Sequence, residues 1–160
     1  MIFITVGTQG PFDRLISFMD ELAYELPEIP FVAQISESNY KVKNMKSLEF
    51  VGPTEFDKYF SSAKLIVSHA GMGTIISALE YNKPIIIFPR LAKLGEHRNE
   101  HQMATAKRLE RLNYLHVAYD EQTLRNKILS LLSGELNTLH RVGRYASSEL
   151  IGSLQNFISI

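Results

Sequence analysis

The stretch that decides the fold is residues 65–74, Leu-Ile-Val-Ser-His-Ala-Gly-Met-Gly-Thr. Its apolar start, Leu65–Ser68, predicts a short strand, and the periodicity that follows predicts a helix over Thr74–Tyr81. The loop between them contains Gly71 and Gly73, which let a ligand approach the backbone because no Cβ stands in the way. The unpaired N–H groups and the positive dipole end of the helix suit a phosphate. The stretch therefore predicts a ligand-binding loop at the carboxyl end of a parallel strand.

Short apolar segments alternate with longer amphipathic segments along the rest of the chain, which is typical of βαβ units. The predicted strands are Ile2–Val6, Phe31–Ile35, Leu48–Val51, Leu65–Ser68, Ile85–Phe88 and Leu115–Val117. The predicted helices run from Pro11 to Pro27, then over Glu55–Ser62 with Thr54 as N-cap, Thr74–Tyr81, Asn99–Leu112, Glu121–Leu132 and most of Leu136–Ile158. We therefore expect one α/β domain over residues 1–160, a Rossmann-like parallel sheet with helices on both faces.

Composition excludes several classes of function. The 17 basic and 17 acidic residues give a net charge of zero, without the Lys and Arg excess that nucleic-acid binding requires. The absence of cysteine excludes disulfides and thiol catalysis and fits a reducing compartment. No apolar run approaches the roughly 20 residues that span a bilayer, and the apolar N-terminal segment is too short for a signal peptide. We expect a cytoplasmic protein that reaches a membrane only through a partner.

A second polar cluster follows the next predicted strand. Pro89-Arg90 comes directly after that strand, and Gly95-Glu-His-Arg-Asn-Glu-His-Gln102 follows. Two successive loops of this kind, one rich in glycine and one rich in hydrogen-bonding groups, predict a site for a phosphorylated polar ligand. Each loop alone is also compatible with an ordinary turn or a solvated surface. The glycine loop is not a dinucleotide fingerprint, because Ile76 stands where the third glycine would be.

The order of these motifs resembles the C-terminal domain of family 28 glycosyltransferases. The likeness rests on His69-Ala-Gly-Met-Gly-Thr74, the turn Asn82-Lys-Pro84, the apolar strand after it, and His101-Gln102. It covers nearly the whole chain. The length of the chain and Val6-Gly7-Thr8 are similar to the small stand-alone members, which are subunits of glycan and polysaccharide transferases.

The resemblance implies the donor domain of a GT-B glycosyltransferase, acting as the donor-binding subunit of a two-component inverting enzyme. The substrate would be a UDP-sugar, and the acceptor a sugar on a polyprenyl diphosphate. A membrane-anchored partner subunit would supply the acceptor surface and hold the chain at the cytoplasmic membrane face. No metal or other cofactor is expected, because the helix dipole and side chains would neutralise the diphosphate.

The resemblance also implies roles for individual residues. The diphosphate would be held by Gly71, Gly73 and Thr74. His69 would stabilise charge on the leaving diphosphate, or would be a buried histidine bonded to a backbone carbonyl. The sugar hydroxyls would be contacted by Gln102 with His101. The full predicted donor-binding set is Gly7, Thr8, Gly71, Met72, Gly73, Thr74, Ser77, Glu80, Arg90, Glu96, His101 and Gln102.

Recognition of the ribose is one point at which this chain departs from the family. Many members carry an acidic residue seven positions before the proline of the Asn-Lys-Pro turn, and here that position is Ser77. Glu80, nearly one helical turn further on, is the predicted replacement.

Two other functions and two details stay open. His97-Arg-Asn-Glu100-His101 matches the zinc signature H-x-x-E-H, in which both histidines would share one face of a helix. The chain would alternatively be a nucleotide-sugar-binding module without catalysis. The amphipathic stretch Tyr145–Ile160 would pack on the sheet of this domain or dock the partner. The transferred sugar is left open among UDP-GlcNAc, UDP-galactose and UDP-glucuronate.

Overall fold

A computed structural model describes residues 1–135 together with Leu139 and Gln155. The remainder of the predicted helix Leu136–Ile158, and of the stretch Tyr145–Ile160, lies outside the described residues. Among the helices of the described part, none combines the length and the hydropathy that crossing a membrane requires.

Six parallel strands form one sheet. They are β1 Ile2–Thr5, β2 Phe31–Gln34, β3 Lys46–Leu48, β4 Leu65–Ser68, β5 Ile85–Ile87 and β6 His116–Val117. The helices are α1 Asp13–Glu25, α2 Pro53–Ser62, α3 Met72–Glu80, α4 His101–Arg111 and α5 Glu121–Leu132, with a 3₁₀ turn at Ala92–Leu94. The strand order is β3-β2-β1-β4-β5-β6, all pairs parallel. This is the doubly wound Rossmann order, in which ligands bind outside the carboxyl ends of the strands.

Both faces of the sheet are covered, as the continuous apolar strands predict. Ile2 and Ile4 of β1 point to one side, where they join the cluster built by α1 and α5. Phe3, between them, points to the opposite side and joins the cluster built by α2, α3 and α4. The predicted Rossmann-like α/β architecture is confirmed within the described residues.

Element boundaries differ from the predicted ones mainly beside the cleft. β3 is Lys46–Leu48 rather than Leu48–Val51, because the strand at this edge is polar and exposed while the apolar pair after it belongs to a loop. The N-cap of α2 is Gly52, not Thr54, since Pro53 occupies the first helical position. Helix α3 begins two residues earlier than predicted, at Met72, and α4 two residues later, at His101.

The connection between β2 and β3 is held against α1 by one buried carboxylate. Asp20 is fully buried, and its oxygens accept hydrogen bonds from Tyr40 Oη at 3.1 Å, from the backbone N–H of Lys43 at 3.0 Å and from that of Asn44 at 2.7 Å. A buried charge is tolerable when it is hydrogen-bonded to this extent. The segment that leads into the edge strand β3 is thereby held against α1.

Candidate functional site

A cleft of about 690 Å³ opens at the carboxyl edge of the sheet. It lies between the loop after β1, the loop after β3, the start of α3 and the start of α4, and the ends of β1 and β2 form its floor. Its lining comprises Thr5, Gly7, Thr8, Gln9, Gln34, Phe50, Val51, Pro53, Phe56, Asp57, His69, Ala70, Gly71, Met72, Gly73, Thr74, Ser77, Arg90, His97, His101, Gln102 and Thr105. Ten of the twelve predicted donor-binding residues, and His69, are therefore brought to one site.

The N-terminus of α3 is the part of the cleft best suited to an anion. Gly71 is its N-cap, and no side chain caps the helix, so the backbone N–H groups of the first turn are left for water or a ligand. The three residues of that turn, Met72, Gly73 and Thr74, all line the cleft. A Cβ on Gly73 would meet no protein atom within 4 Å. The space beside this residue is therefore open.

The imidazole of His69 lies between two glycines. A Cβ on Gly71 would stand 2.2 Å from His69 Nε2, and one on Gly7 would stand 2.7 Å from His69 Cε1. Gly7 also has a φ of 73°, which few other residues adopt. These two glycines are thus required by the histidine ring, a role that the motif on its own does not indicate.

His69 is neutral near pH 7. Burial and, to a smaller extent, the charge of Arg90 lower its pKa to about 4, although a hydrogen bond to the backbone of Thr5 opposes the shift. The hydroxyl of Ser68 donates to the carbonyl oxygen of Thr5 at 3.1 Å, and its oxygen lies 3.3 Å from His69 Nδ1. Because the hydroxyl proton is already used, Nδ1 carries the ring proton and Nε2 a lone pair. Donation to a leaving diphosphate requires the ring to take up a proton first.

Gln102 connects the two predicted loops. Its Oε1 accepts a hydrogen bond from the backbone N–H of Ala70 at 3.2 Å and another from that of Arg90 at 3.1 Å. Since both partners are N–H donors, the oxygen of the amide must face them. The residue is 9% exposed and lines the cleft. Within residues 1–135 its Nε2 has no hydrogen-bond partner, so the two N–H groups can donate to a ligand.

Arg90 lines the cleft, yet the N–H groups of its guanidinium are directed to the backbone. They donate to the carbonyl oxygens of Val6 at 3.0 Å, Gly10 at 2.9 Å, Pro11 at 2.6 Å and Glu96 at 3.2 Å. The side chain is buried, with 2% of the residue exposed. Arg90 thus fixes the loop after β1. Because Nη1 and Nη2 of its guanidinium donate to backbone carbonyl oxygens, Arg90 acts on the cleft through its charge rather than through a two-pronged hydrogen bond to a ligand.

Two predicted residues lie outside the cleft lining. Glu96 forms a two-pronged ion pair with Arg14, at 2.7 Å and 2.9 Å, and accepts from the backbone N–H of Leu91 at 2.8 Å. Glu80 is exposed on α3 and does not line the cleft, whereas Ser77 does. The ribose contact predicted for Glu80 therefore has no support in this geometry.

The predicted zinc motif is wrong. His97 lies in the bend that precedes α4, whereas His101 is the first residue of that helix, so the two histidines do not share a helical face. His97 Nδ1 is 3.0 Å from the carbonyl oxygen of Asn99. Among residues 1–135, no three His, Cys, Asp or Glu side chains are grouped as a metal would require.

Several cleft residues were not predicted from the sequence. Phe50, Phe56 and Asp57 line the side formed by the loop after β3 and by α2. Phe50 is 70% exposed, so its ring is accessible from the cleft. Gln34, at the end of β2, lies on the floor. The sequence does contain a signal for Gln34, which is a polar residue at the last position of an otherwise apolar strand and could have been predicted to line a site.

An open parallel sheet with a polar cleft at its carboxyl edge and an uncapped helix N-terminus defines the doubly wound class of α/β domain, in which ligands bind outside the carboxyl ends of the strands. Residues 1–149 match the glycosyltransferase family 28 C-terminal domain. The chain belongs to this family, as the order of its motifs predicts, and its fold is that of the C-terminal domain of GT-B glycosyltransferases.

Two fungal proteins are similar to this chain in amino-acid sequence. The chain is 36% identical over 75 residues to the UDP-N-acetylglucosamine transferase subunit ALG13 of Candida albicans, covering 47% of this chain and 24% of that protein. It is 44% identical over 55 residues to the subunit of the same name from Eremothecium gossypii, covering 34% and 25%. The matched segments thus span about a quarter of each relative. A solution structure of ALG13 shares the fold, with a TM-score of 0.60 at 19% identity over 96% of this chain and 93% of that one.

The two glycines at the start of α3, Gly71 at the N-cap and Gly73 in the first turn, are expected to respond differently to substitution by alanine. Gly71→Ala should destabilise the protein by about 1–3 kcal/mol, because the methyl group would collide with the His69 ring. Gly73→Ala should be neutral or stabilising by up to about 1 kcal/mol, since its Cβ meets open space in a helix. Urea unfolding of both variants measures the difference, and equal effects would contradict the placement of His69.

The low pKa of His69 predicts a loss of stability in mild acid. The folded ring titrates at about 4 and the unfolded one at 6.5, so only the unfolded chain gains a proton between these values. The free energy of unfolding should fall through this window by about 1.4 kcal/mol per pH unit and level off below it. His69→Gln should have a flatter profile in the same urea titrations, which separates its contribution from that of His116, whose pKa is also lowered.

Proposed function

We propose that this chain is the donor-binding subunit of a glycosyltransferase and that it holds the diphosphate of a UDP-sugar at the N-terminus of α3. The uncapped first turn of that helix, open at Gly73, is the observation that carries the proposal. Backbone N–H groups and the helix dipole attract an anion in this position. The buried charge of Arg90 adds positive potential at the same edge of the sheet.

The two ends of the cleft suit the two ends of a nucleotide sugar. At the start of α4, Gln102 offers the N–H groups of Nε2 and His101 an exposed imidazole, which are suitable partners for sugar hydroxyls. At the opposite side, the exposed ring of Phe50 offers a surface on which a nucleobase can stack. Membership of the family and the name of the fungal relatives make UDP-GlcNAc the first donor to test, with UDP-galactose and UDP-glucuronate as the alternatives.

The second half of the proposal concerns a partner. The name of the fungal relatives describes a subunit, which supports a partner for this chain. We propose that a membrane-anchored subunit completes the cleft, supplies the acceptor surface and the base that deprotonates the acceptor hydroxyl, and keeps the chain at the cytoplasmic face. Transfer would invert the anomeric centre, and the acceptor would be a sugar on a polyprenyl diphosphate. The diphosphate would be neutralised by the helix and by side chains rather than by a metal.

A bulky residue at Gly73 should block the diphosphate site without unfolding the domain. In calorimetric titrations with UDP, Gly73→Leu is expected to lose at least about tenfold in affinity, because the added side chain extends into the open space at the helix start. Gln122→Leu places the same side chain in the first turn of α5, outside the cleft, and should bind UDP as the unaltered protein does. Normal UDP binding by Gly73→Leu would reject the site.

Transfer is measured with a radiolabelled UDP-sugar and a lipid-linked acceptor, with and without candidate membrane subunits. The proposal expects transfer only when both proteins are present. Tight UDP-sugar binding without transfer in any combination would instead favour a nucleotide-sugar-binding module.

Two substitutions of Gln102 separate its two roles. Gln102→Glu keeps an oxygen for the N–H groups of Ala70 and Arg90 but removes the amide donors, so it should weaken UDP-sugar binding about tenfold and UDP binding little. Gln102→Ala also leaves two buried N–H groups unpaired, and it should lower stability by about 1–3 kcal/mol. Calorimetry and urea unfolding of both variants test this, and equal losses for UDP and UDP-sugar in Gln102→Glu would contradict the sugar contact.

A further inference from the structure

The floor of the cleft contains a buried amide whose orientation is determined by its neighbours. Gln34 is 4% exposed, and its Oε1 accepts a hydrogen bond from Thr5 Oγ1 at 2.7 Å. The same hydroxyl oxygen accepts from the backbone N–H of Gly7 at 3.3 Å. The hydroxyl proton of Thr5 therefore needs an acceptor, and the oxygen of Gln34 is that acceptor. Turning the amide over would leave this buried proton unpaired, at a free-energy cost.

The nitrogen of the same amide is left to the cleft. Gln34 is among the residues that line the cleft. Within residues 1–135, the side chain bonds only through Oε1, and no side-chain nitrogen or oxygen is sealed off without a partner. The two N–H groups of Nε2 can thus donate hydrogen bonds to a ligand at the floor of the cleft. A rigidly held donor of this kind selects for an acceptor atom in the ligand.

The position of Gln34 relative to the phosphate site suggests which part of a ligand it meets. It ends β2, which lies two strands from β4 and hence from the start of α3, a distance of roughly 10 Å. Gln34 is paired in register with Leu48 of β3, and Phe50 follows two residues later. The amide donors and the exposed aromatic ring therefore lie toward the β2 and β3 side of the cleft, away from the start of α3.

We propose that Gln34 determines the choice of base, by donating a hydrogen bond from Nε2 to the O4 carbonyl of uracil. This inference rests on the proposed binding of a UDP-sugar and adds to it the residue that would read the nucleotide. Uracil and cytosine differ at this atom, which is a carbonyl acceptor in the first and an amino donor in the second. Because Thr5 prevents the amide from turning, the amino group of cytosine would face a second donor, and CDP would be disfavoured.

The test compares UDP and CDP in parallel titrations at pH 8. The unaltered protein is expected to prefer UDP by at least about tenfold. Gln34→Glu replaces the donors with an acceptor, so the preference should disappear or reverse as UDP weakens and CDP does not. Thr5→Val leaves Gln34 in place but removes the hydroxyl proton, which frees the amide to turn. This variant should reduce the preference to within about threefold.

Controls separate base reading from general damage. Phe50→Ala is the matched control, since loss of stacking should weaken both nucleotides to a similar extent and leave their ratio unchanged. Gln34→Met tests the same point if Gln34→Glu does not unfold cooperatively, and it should lower UDP affinity to that of CDP.

The inference would be overturned if the unaltered protein bound UDP and CDP equally. It would also be overturned if the ratio of the two affinities stayed unchanged in Gln34→Glu, Gln34→Met and Thr5→Val. In both cases UDP binding itself would stand. Failure of the unaltered protein to bind any uridine nucleotide would instead reject the proposed function from which the inference starts.

Discussion

One side-chain oxygen joins the two loops on which the cleft is built. Gln102 Oε1 accepts from the N–H of Ala70, after β4, and from the N–H of Arg90, after β5. The guanidinium of Arg90 then donates to four backbone carbonyls, three of them in the loop after β1. Three loops that are separate in the chain are thus connected by buried hydrogen bonds. In such a network each member supports the others, because an unpaired group in the interior is costly.

This network also explains why the cleft contains polar groups that do not all serve a ligand. Arg90 and the side-chain oxygens of Gln34 and Gln102 bond to the protein, whereas the amide nitrogens of Gln34 and Gln102 form no hydrogen bond to another residue of the described part of the chain. A site built in this way has donors of fixed direction, since rotating either amide would break its structural hydrogen bonds. Preorganised donors of this kind give specificity at little cost in binding entropy.

The histidine beside the start of α3, where the diphosphate site is proposed, illustrates how closely the loops are packed. Its ring occupies the space that a side chain on Gly7 or Gly71 would take. Burial and the charge of Arg90 keep it neutral, and the hydroxyl of Ser68 leaves the lone pair on Nε2. An anion bound next to this nitrogen would favour protonation of the ring, because an opposite charge stabilises the charged form.

Much of this molecule follows from local patterns in the sequence. The alternation of apolar strands and amphipathic helices determined the sheet, and the two glycines at the start of a helix indicated where the phosphate site is proposed, because periodicity and glycine geometry act over a few residues. The partners of the polar side chains were decided only by the tertiary structure. Glu96 is drawn to Arg14, 82 residues away, and Arg90 to Val6, 84 residues away, whereas Gln34 and Phe50 reach the cleft because parallel pairing brings the ends of distant strands together. Hydrogen bonds over such separations depend on how the chain closes upon itself, and no local pattern encodes that.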